Sequence, residues 1–161
     1  IVLAVMTGPA LQELGLALIT AHMIIFWLAQ SSNVTPPIAL AAFAGAGVAG
    51  AAPMRNAVEA VKLANGLFVI PLMMAFSPLL LSAEFGWTGV FGAALVTGLL
   101  MLMLVMVLQR HLFVAVSRAQ QVLAVVAAGL LVYPSYLTRI VGTFLALAIM
   151  LANRIQPSRI H

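Results

Sequence analysis

The chain has 161 residues, of which 65% are hydrophobic and only 6% charged, and its mean hydropathy is +1.21. A soluble domain carries about a quarter charged residues, so this chain lacks the polar surface that water demands, and the bilayer is the solvent that fits. The formal net charge is +4, but the bases stand singly at the ends of apolar runs. That is the pattern of topology-setting charges, and it excludes the clustered basic face of a nucleic-acid binder.

The absence of cysteine excludes disulfides and thiolate metal sites. Residue 1 is Ile, inside an apolar run with no charged region before it, so it does not read as a signal peptide. The expectation is a truncated product that begins partway through a helix.

The first run, 1–18, is interrupted by Gly8 and Pro9 and then by Gln12 and Glu13. It falls short of the roughly 20 apolar residues that a span requires, and it reads as a re-entrant segment. The second run, 19–50, would be about 48 Å long as one helix, well beyond a hydrocarbon core of roughly 30 Å. The sequence marks where it breaks: Gln30 is followed by Ser31, Ser32, Asn33, Val34, Thr35, Pro36 and Pro37. Two prolines remove two backbone donors and push the residues before them out of the helical region. Two half-helices are predicted, about 19–30 and about 37–50, joined by a non-helical link.

The third run, 57–81, opens after Pro53 with Arg55, Glu59 and Lys62, and Pro71 predicts a kink within it. The fourth, 88–109, is entered by Trp87 and closed by Arg110 and His111. The fifth, 113–132, ends at Tyr133 and Pro134, and the sixth, 138–153, ends at Asn153 and Arg154. The last two are near the short limit for a span and also fit a tilted hairpin. Arg55, Lys62, Arg110, Arg118, Arg154 and Arg159 fall on alternate links, which places those links in the cytoplasm. Arg139 is the one base on the opposite side. The expected fold class is therefore all-α: a polytopic integral membrane protein with a re-entrant hairpin arm, a broken transmembrane helix and about four further helices.

Residues 31–37 carry the chemistry. Irregular backbone at membrane depth costs several kcal/mol for each unsatisfied group unless protein or water covers it, and the chain supplies polar side chains there. The first half-helix ends in free carbonyls and the negative end of a dipole, and the second begins with free N–H groups and the positive end. Carbonyl, hydroxyl and amide oxygens suit a hard monovalent cation, and the positive end suits an anionic substrate group. Secondary transporters use this arrangement. The plainer reading is a proline kink with hydroxyls bonded back to the backbone. After the break, Ala41, Gly45 and Ala49, and likewise Ala42, Ala46 and Gly50, recur at four-residue spacing, which permits close helix packing.

His22 reads as a satisfied interfacial or packing histidine rather than a proton relay. Glu59 with Arg55 and Lys62 reads as an interfacial ion cluster. Asn65 and Ser77 read as polar contacts to neighbouring helices. The methionines have no His or Cys among them, which favours packing over a soft-metal path. No nucleophile elbow or base-plus-orienter spacing is present, so no enzyme is expected.

The stretch S-N-V-T-P-P-I-A-L-A-A-F-A-G-A-G-V-A-G at 32–50, followed by P-M-R at 53–55, resembles the large permease of tripartite ATP-independent periplasmic (TRAP) transporters. His22 and F-S-P-L-L-L at 76–81 are similar to the form in which small and large permeases are fused. The resemblance implies two regions: 1–81, the C-terminal part of the transport domain (arm 1–18, broken helix 19–50, helix 57–81), and 82–161, the membrane extension of fused permeases. It implies an elevator-like importer in the bacterial inner membrane that couples organic-acid uptake to sodium. The partners implied are a periplasmic solute-binding protein, an organic anion, the lipid bilayer and the rest of the permease upstream of Ile1. No other cofactor is implied. Of the family's ion and substrate contacts, the break alone maps here: Ser32, Asn33, Val34 and Thr35, shaped by Pro36 and Pro37. The alternatives are a non-transporting membrane scaffold or assembly subunit and another broken-helix ion-coupled transporter.

Overall fold

The computed structural model describes residues 2–77, 79, 86–112 and 114–155. Pro78, Leu80, Leu81 and Glu84, and the tail with Arg159 and His161, lie outside them, as does Phe113 at the predicted start of the fifth run. The chain divides into two compact units, Ile1–Ala75 and Phe76–His161. Secondary structure in both is helical, and among the described residues three stretches are long and apolar enough to cross a membrane: Pro53–Phe76, Gly86–Gln109 and Tyr136–Ile155. Large apolar side chains lie exposed on every helix, among them Val5, Phe26, Val48, Leu95, Val122 and Phe144. Such surfaces belong against lipid or other protein rather than water.

The first unit begins with α1, Val2–Glu13, which continues through Pro9 rather than stopping at the Gly8 and Pro9 pair. Its 12 residues give a helix of about 18 Å, too short to cross the core. It ends where Gly15 takes φ +89 and the Leu16 N–H reaches back to the Leu11 carbonyl at 3.2 Å, a Schellman-type stop that glycine makes possible. The chain then turns into α2, Leu18–Gln30, whose Ala21, Ile24 and Ile25 form the buried stripe of a hairpin with α1.

A 3₁₀ turn, Ser31–Asn33, follows, and α3, Leu40–Ala49, starts three residues later than the prolines predicted. The delay has a local cause. Pro36 and Pro37 sit in a turn, and Ala39 adopts a left-handed conformation (φ 36, ψ 43) from which a helix cannot propagate backwards. Gly50, at φ 63, ends α3, and Pro53 occupies the first turn of α4, Pro53–Leu63, where its missing N–H removes no helical bond. Ala42 and Ala57 pack with Ala39, flanked by Phe43 and Ala60, so of the two small-residue stripes the one through Ala42 and Ala46 is buried.

The predicted third helix is interrupted. It breaks at Ala64 and Asn65, and α5, Gly66–Phe76, runs through Pro71. A proline inside a helix removes one donor, here the one aimed at the Leu67 carbonyl. The Asn65 and Gly66 pair is the stronger break: the Asn65 carbonyl accepts from both the Phe68 and Val69 N–H groups at 3.1 Å and starts a new helix.

The second unit is a three-helix assembly of α6, Gly86–Gln109, α7, Arg118–Val132, and α8, Tyr136–Ile155. The fifth run was expected from 113, but its helix starts at 118 because Ser117 caps it. The Ser117 hydroxyl accepts from the Gln120 N–H, and the Gln120 side chain accepts from the Ser117 N–H, a complete capping box. At 15 residues α7 is about 22 Å long, short of a full crossing, while α8 gains two residues at each end over its predicted bounds and reaches 20. Buried Asn153, near the end of α8, clamps the Val114 backbone through both its amide oxygen and its amide nitrogen. Trp87, Tyr133 and Tyr136 mark one end of this bundle, and Arg110, Arg118 and Arg154 mark the other.

The contact between α7 and α8 depends on Gly142. A Cβ there would lie 3.1 Å from the Leu130 Cβ and 3.2 Å from two atoms of Leu131. Gly142→Leu should therefore force the pair apart and lower the melting temperature of the purified protein, with overpacking of about 1–3 kcal/mol. Gly129→Ala, where a Cβ meets nothing within 4 Å, should leave it unchanged or raise it. Equal effects of the two changes would remove this close approach as a determinant of the fold.

Candidate ion and substrate site at the helix break

The carbonyls at the end of α2 would be orphaned by the break. The polar residues that follow supply their partners. Ser31 Oγ donates to the Leu28 carbonyl at 2.7 Å, and Ser32 Oγ donates to the Ala29 carbonyl at 3.0 Å. Thr35 Oγ1 donates to the Ser31 carbonyl at 2.7 Å, an acceptor it shares with the Val34 and Thr35 N–H groups. Asn33 Nδ2 donates to Gln30 Oε1 at 3.3 Å.

These bonds are the ones a simple kink would make, but the interruption is wider than a kink. Between Gln30 and Leu40 the chain passes through a 3₁₀ turn, a proline turn with a cis Pro36-Pro37 bond, and left-handed Ala39. Two separate helices result, each with its own terminus.

The bonding leaves a defined chemistry on either side. Each hydroxyl spends its single proton on a carbonyl, so its oxygen lone pairs remain available as acceptors. Hydroxyl oxygens at the negative end of the α2 dipole form a set that attracts a cation. Across residues 34–39, the N-cap of α3 is Ala39, which gives it no side-chain cap. Its first-turn N–H groups have no intrahelical acceptor, and they favour an anionic group. Ser31, Asn33, Val34, Thr35 and Pro36 are half-buried, and Ser32 and Pro37 are exposed, so the segment is reachable. Ser32, Asn33, Val34 and Thr35 thus share one turn, and Pro36 and Pro37 separate them from α3.

Two contributors were not anticipated. Asn56 of α4 donates through Nδ2 to the Ala42 carbonyl at 2.6 Å and ties the first turn of α3 to the neighbouring helix. Ala39 sets where α3 starts and is itself fully buried. The partner of Asn56 lies 14 positions earlier in the chain, so no local spacing marks the pair in the sequence. No residue-type signal marks an alanine for a left-handed conformation.

The other polar candidates take local partners. His22 Nδ1 lies 2.8 Å from the Leu18 carbonyl one turn earlier in α2. Lys62 Nζ pairs with Glu59 Oε1 at 2.8 Å on an exposed face. Ser77 Oγ accepts from Arg139 Nη2 at 2.8 Å, and Asn65 Nδ2 is buried with no partner among the described residues. No cluster of metal-binding side chains occurs among the described residues.

With helical secondary structure and three membrane-length segments among the described residues, and a helix interrupted by a polar, proline-containing turn, the chain is a multi-pass membrane protein of the discontinuous-helix kind. The family described as "Tripartite ATP-independent periplasmic transporter, DctM component" matches residues 1–84, just over half of the chain. The chain belongs to that family and is part of a TRAP transporter large permease. Neither a curated protein nor a solved structure matches it.

Proposed function

We propose that this chain contributes one half of the coupling-ion and substrate site of a permease that imports organic acids by sodium symport in the bacterial inner membrane. The substrate is delivered by a periplasmic solute-binding protein. The observation that carries the reading is the break itself, with hydroxyl oxygens at the α2 end and uncapped amides at the α3 start. Sodium sits against Ser32, Asn33, Thr35 and the Val34 backbone, and the carboxylate of the substrate faces the α3 N-terminus. Residues upstream of Ile1 complete the site, and residues 82–161 serve as the membrane extension of a fused permease.

The test is uptake of radiolabelled organic acids by the full-length permease in proteoliposomes, with the sodium gradient and the binding protein varied independently. Uptake should require both, and Asn33→Ala should abolish it or reduce it by at least about tenfold, the size of a lost bond to a charged group. Uptake that survives Asn33→Ala unchanged reduces residues 31–37 to a structural kink. Uptake that ignores sodium and the binding protein sinks the coupling reading.

A further inference from the structure

Apart from the break, the second unit holds a cavity of about 600 Å³ between the start of α6 and the start of α8. That volume is in the range of about 300–1,000 Å³ that accommodates small organic ligands. Its walls are apolar along Gly92, Val96, Ile140 and Phe144, and Arg139 is the charged residue among those that line it. Arg139 Nη2 donates to the Phe76 carbonyl at 2.9 Å and to Ser77 Oγ at 2.8 Å. Its Nε is buried with no hydrogen-bond partner, and among the described residues no carboxylate pairs with it. Two neutral acceptors orient the guanidinium, and no described residue compensates its charge. A partly buried, uncompensated charge near the hydrocarbon boundary is costly, and an anion is the compensation that chemistry offers.

Position in the bundle narrows the anion. Arg139 belongs to the end of the second unit marked by Trp87, Tyr133 and Tyr136, the level at which interfacial aromatics meet headgroups. The arginines at the other end make that end cytoplasmic, so Arg139 stands at the opposite surface. A charge at headgroup depth, continuous with an apolar groove that runs toward the bilayer centre, matches an amphiphile with a phosphate at one end and a hydrocarbon chain at the other. Arginine is suited to the first part because its planar fork meets phosphate oxygens in pairs.

We propose that this cavity is a glycerophospholipid site: the lipid phosphodiester lies against Arg139, and one acyl chain lies along Gly92, Val96 and Phe144. The inference needs the membrane setting of the second unit and is independent of the ion site at the break. It assigns a holding role to the extension that follows the transport-domain residues.

The test is native mass spectrometry of the full-length permease, extracted from the membrane in mild detergent, with retained phospholipid counted. The wild type should retain phospholipid. Arg139→Gln should lower its affinity about tenfold, equivalent to about 1.4 kcal/mol. Gly92→Leu, whose added atoms begin in open space, should fill the groove and lower retention similarly. Arg118→Gln, at the other end of the bundle, should not. Wild-type retention in either Arg139→Gln or Gly92→Leu overturns the proposal, and is also what a carboxylate partner such as Glu84 would produce. A benzophenone side chain at Phe144 supplies a second measurement in a chain with Arg139 and Gly92 intact. Crosslinks of phospholipid mass support the site, and crosslinks to a peptide show that protein fills the groove and overturn it.

Discussion

Ala39→Val should destabilise the permease by about 2–5 kcal/mol, the sum of a left-handed conformation forced on a β-branched residue and overpacking at a full site. The residue is at φ 36 and ψ 43 and is completely buried beside Ala42 and Ala57. No adjustment relieves both problems together. Moving the backbone out of the left-handed region shifts the start of α3, and keeping it there drives two new methyl groups toward α4. Ala39→Gly separates the contributions. It removes a conformational cost of about 1–2 kcal/mol and loses one packed methyl worth about 0.8 kcal/mol, so the net change should be small. Melting temperatures of the three full-length proteins in detergent decide the matter. If Ala39→Val melts with the wild type, the position of α3 is set elsewhere, by the prolines or by the Asn56 bond to the Ala42 carbonyl.

That argument ties stability to function through one residue. The start of α3 sets where its uncapped amides lie relative to the hydroxyls on α2. A two-residue shift of the start would move those amides by about 3 Å, as far as a hydrogen bond reaches. Asn56 and the Ala42, Ala46 and Ala57 packing hold α3 against α4, so the positive end is fixed by tertiary contacts, whereas the hydroxyl end is fixed by bonds local to α2. The two halves of the candidate site therefore have different mechanical origins.

The sequence made the break legible because its signals are chemical: two prolines and a run of hydroxyl and amide side chains have few other uses inside an apolar stretch. It did not reveal that α3 waits until Leu40, because the residue responsible is an alanine, which carries no mark of a left-handed conformation. The interruption at Ala64 and Asn65 was not foreseen, although the Asn65-Gly66 pair is itself a turn signal. At the start of α7, hydropathy pulled the predicted boundary forward to 113, while Ser117 and Gln120 at capping-box spacing held the correct one. In an apolar chain, hydropathy locates segments, and the sparse polar residues locate their ends. The bond from Asn56 to the Ala42 carbonyl links residues 14 apart and belongs to tertiary packing, which no local pattern encodes.

Thr35 separates the two meanings that the hydroxyls at the break can have. Its Oγ1 donates to the Ser31 carbonyl at 2.7 Å, and the same carbonyl already accepts from two backbone N–H groups. Thr35→Val keeps the shape, removes the hydroxyl and leaves that carbonyl satisfied. Its cost to stability should accordingly stay near 1 kcal/mol, the net worth of one neutral hydrogen bond. If the Thr35 oxygen also faces sodium, the loss in ion binding is of another order: an interaction with a charge is worth about 1.5–3 kcal/mol, or roughly 10- to 150-fold in affinity. The expected result is a sodium requirement for half-maximal uptake raised at least about tenfold in Thr35→Val and restored in Thr35→Ser, with melting temperatures of all three proteins close together. Serine restores the oxygen but not the methyl group, so recovery points to coordination rather than packing. A Thr35→Val permease with unaltered sodium dependence would leave the hydroxyl as a cap on α2 and nothing more. The cation would then have to be sought at Ser32 and Asn33 alone.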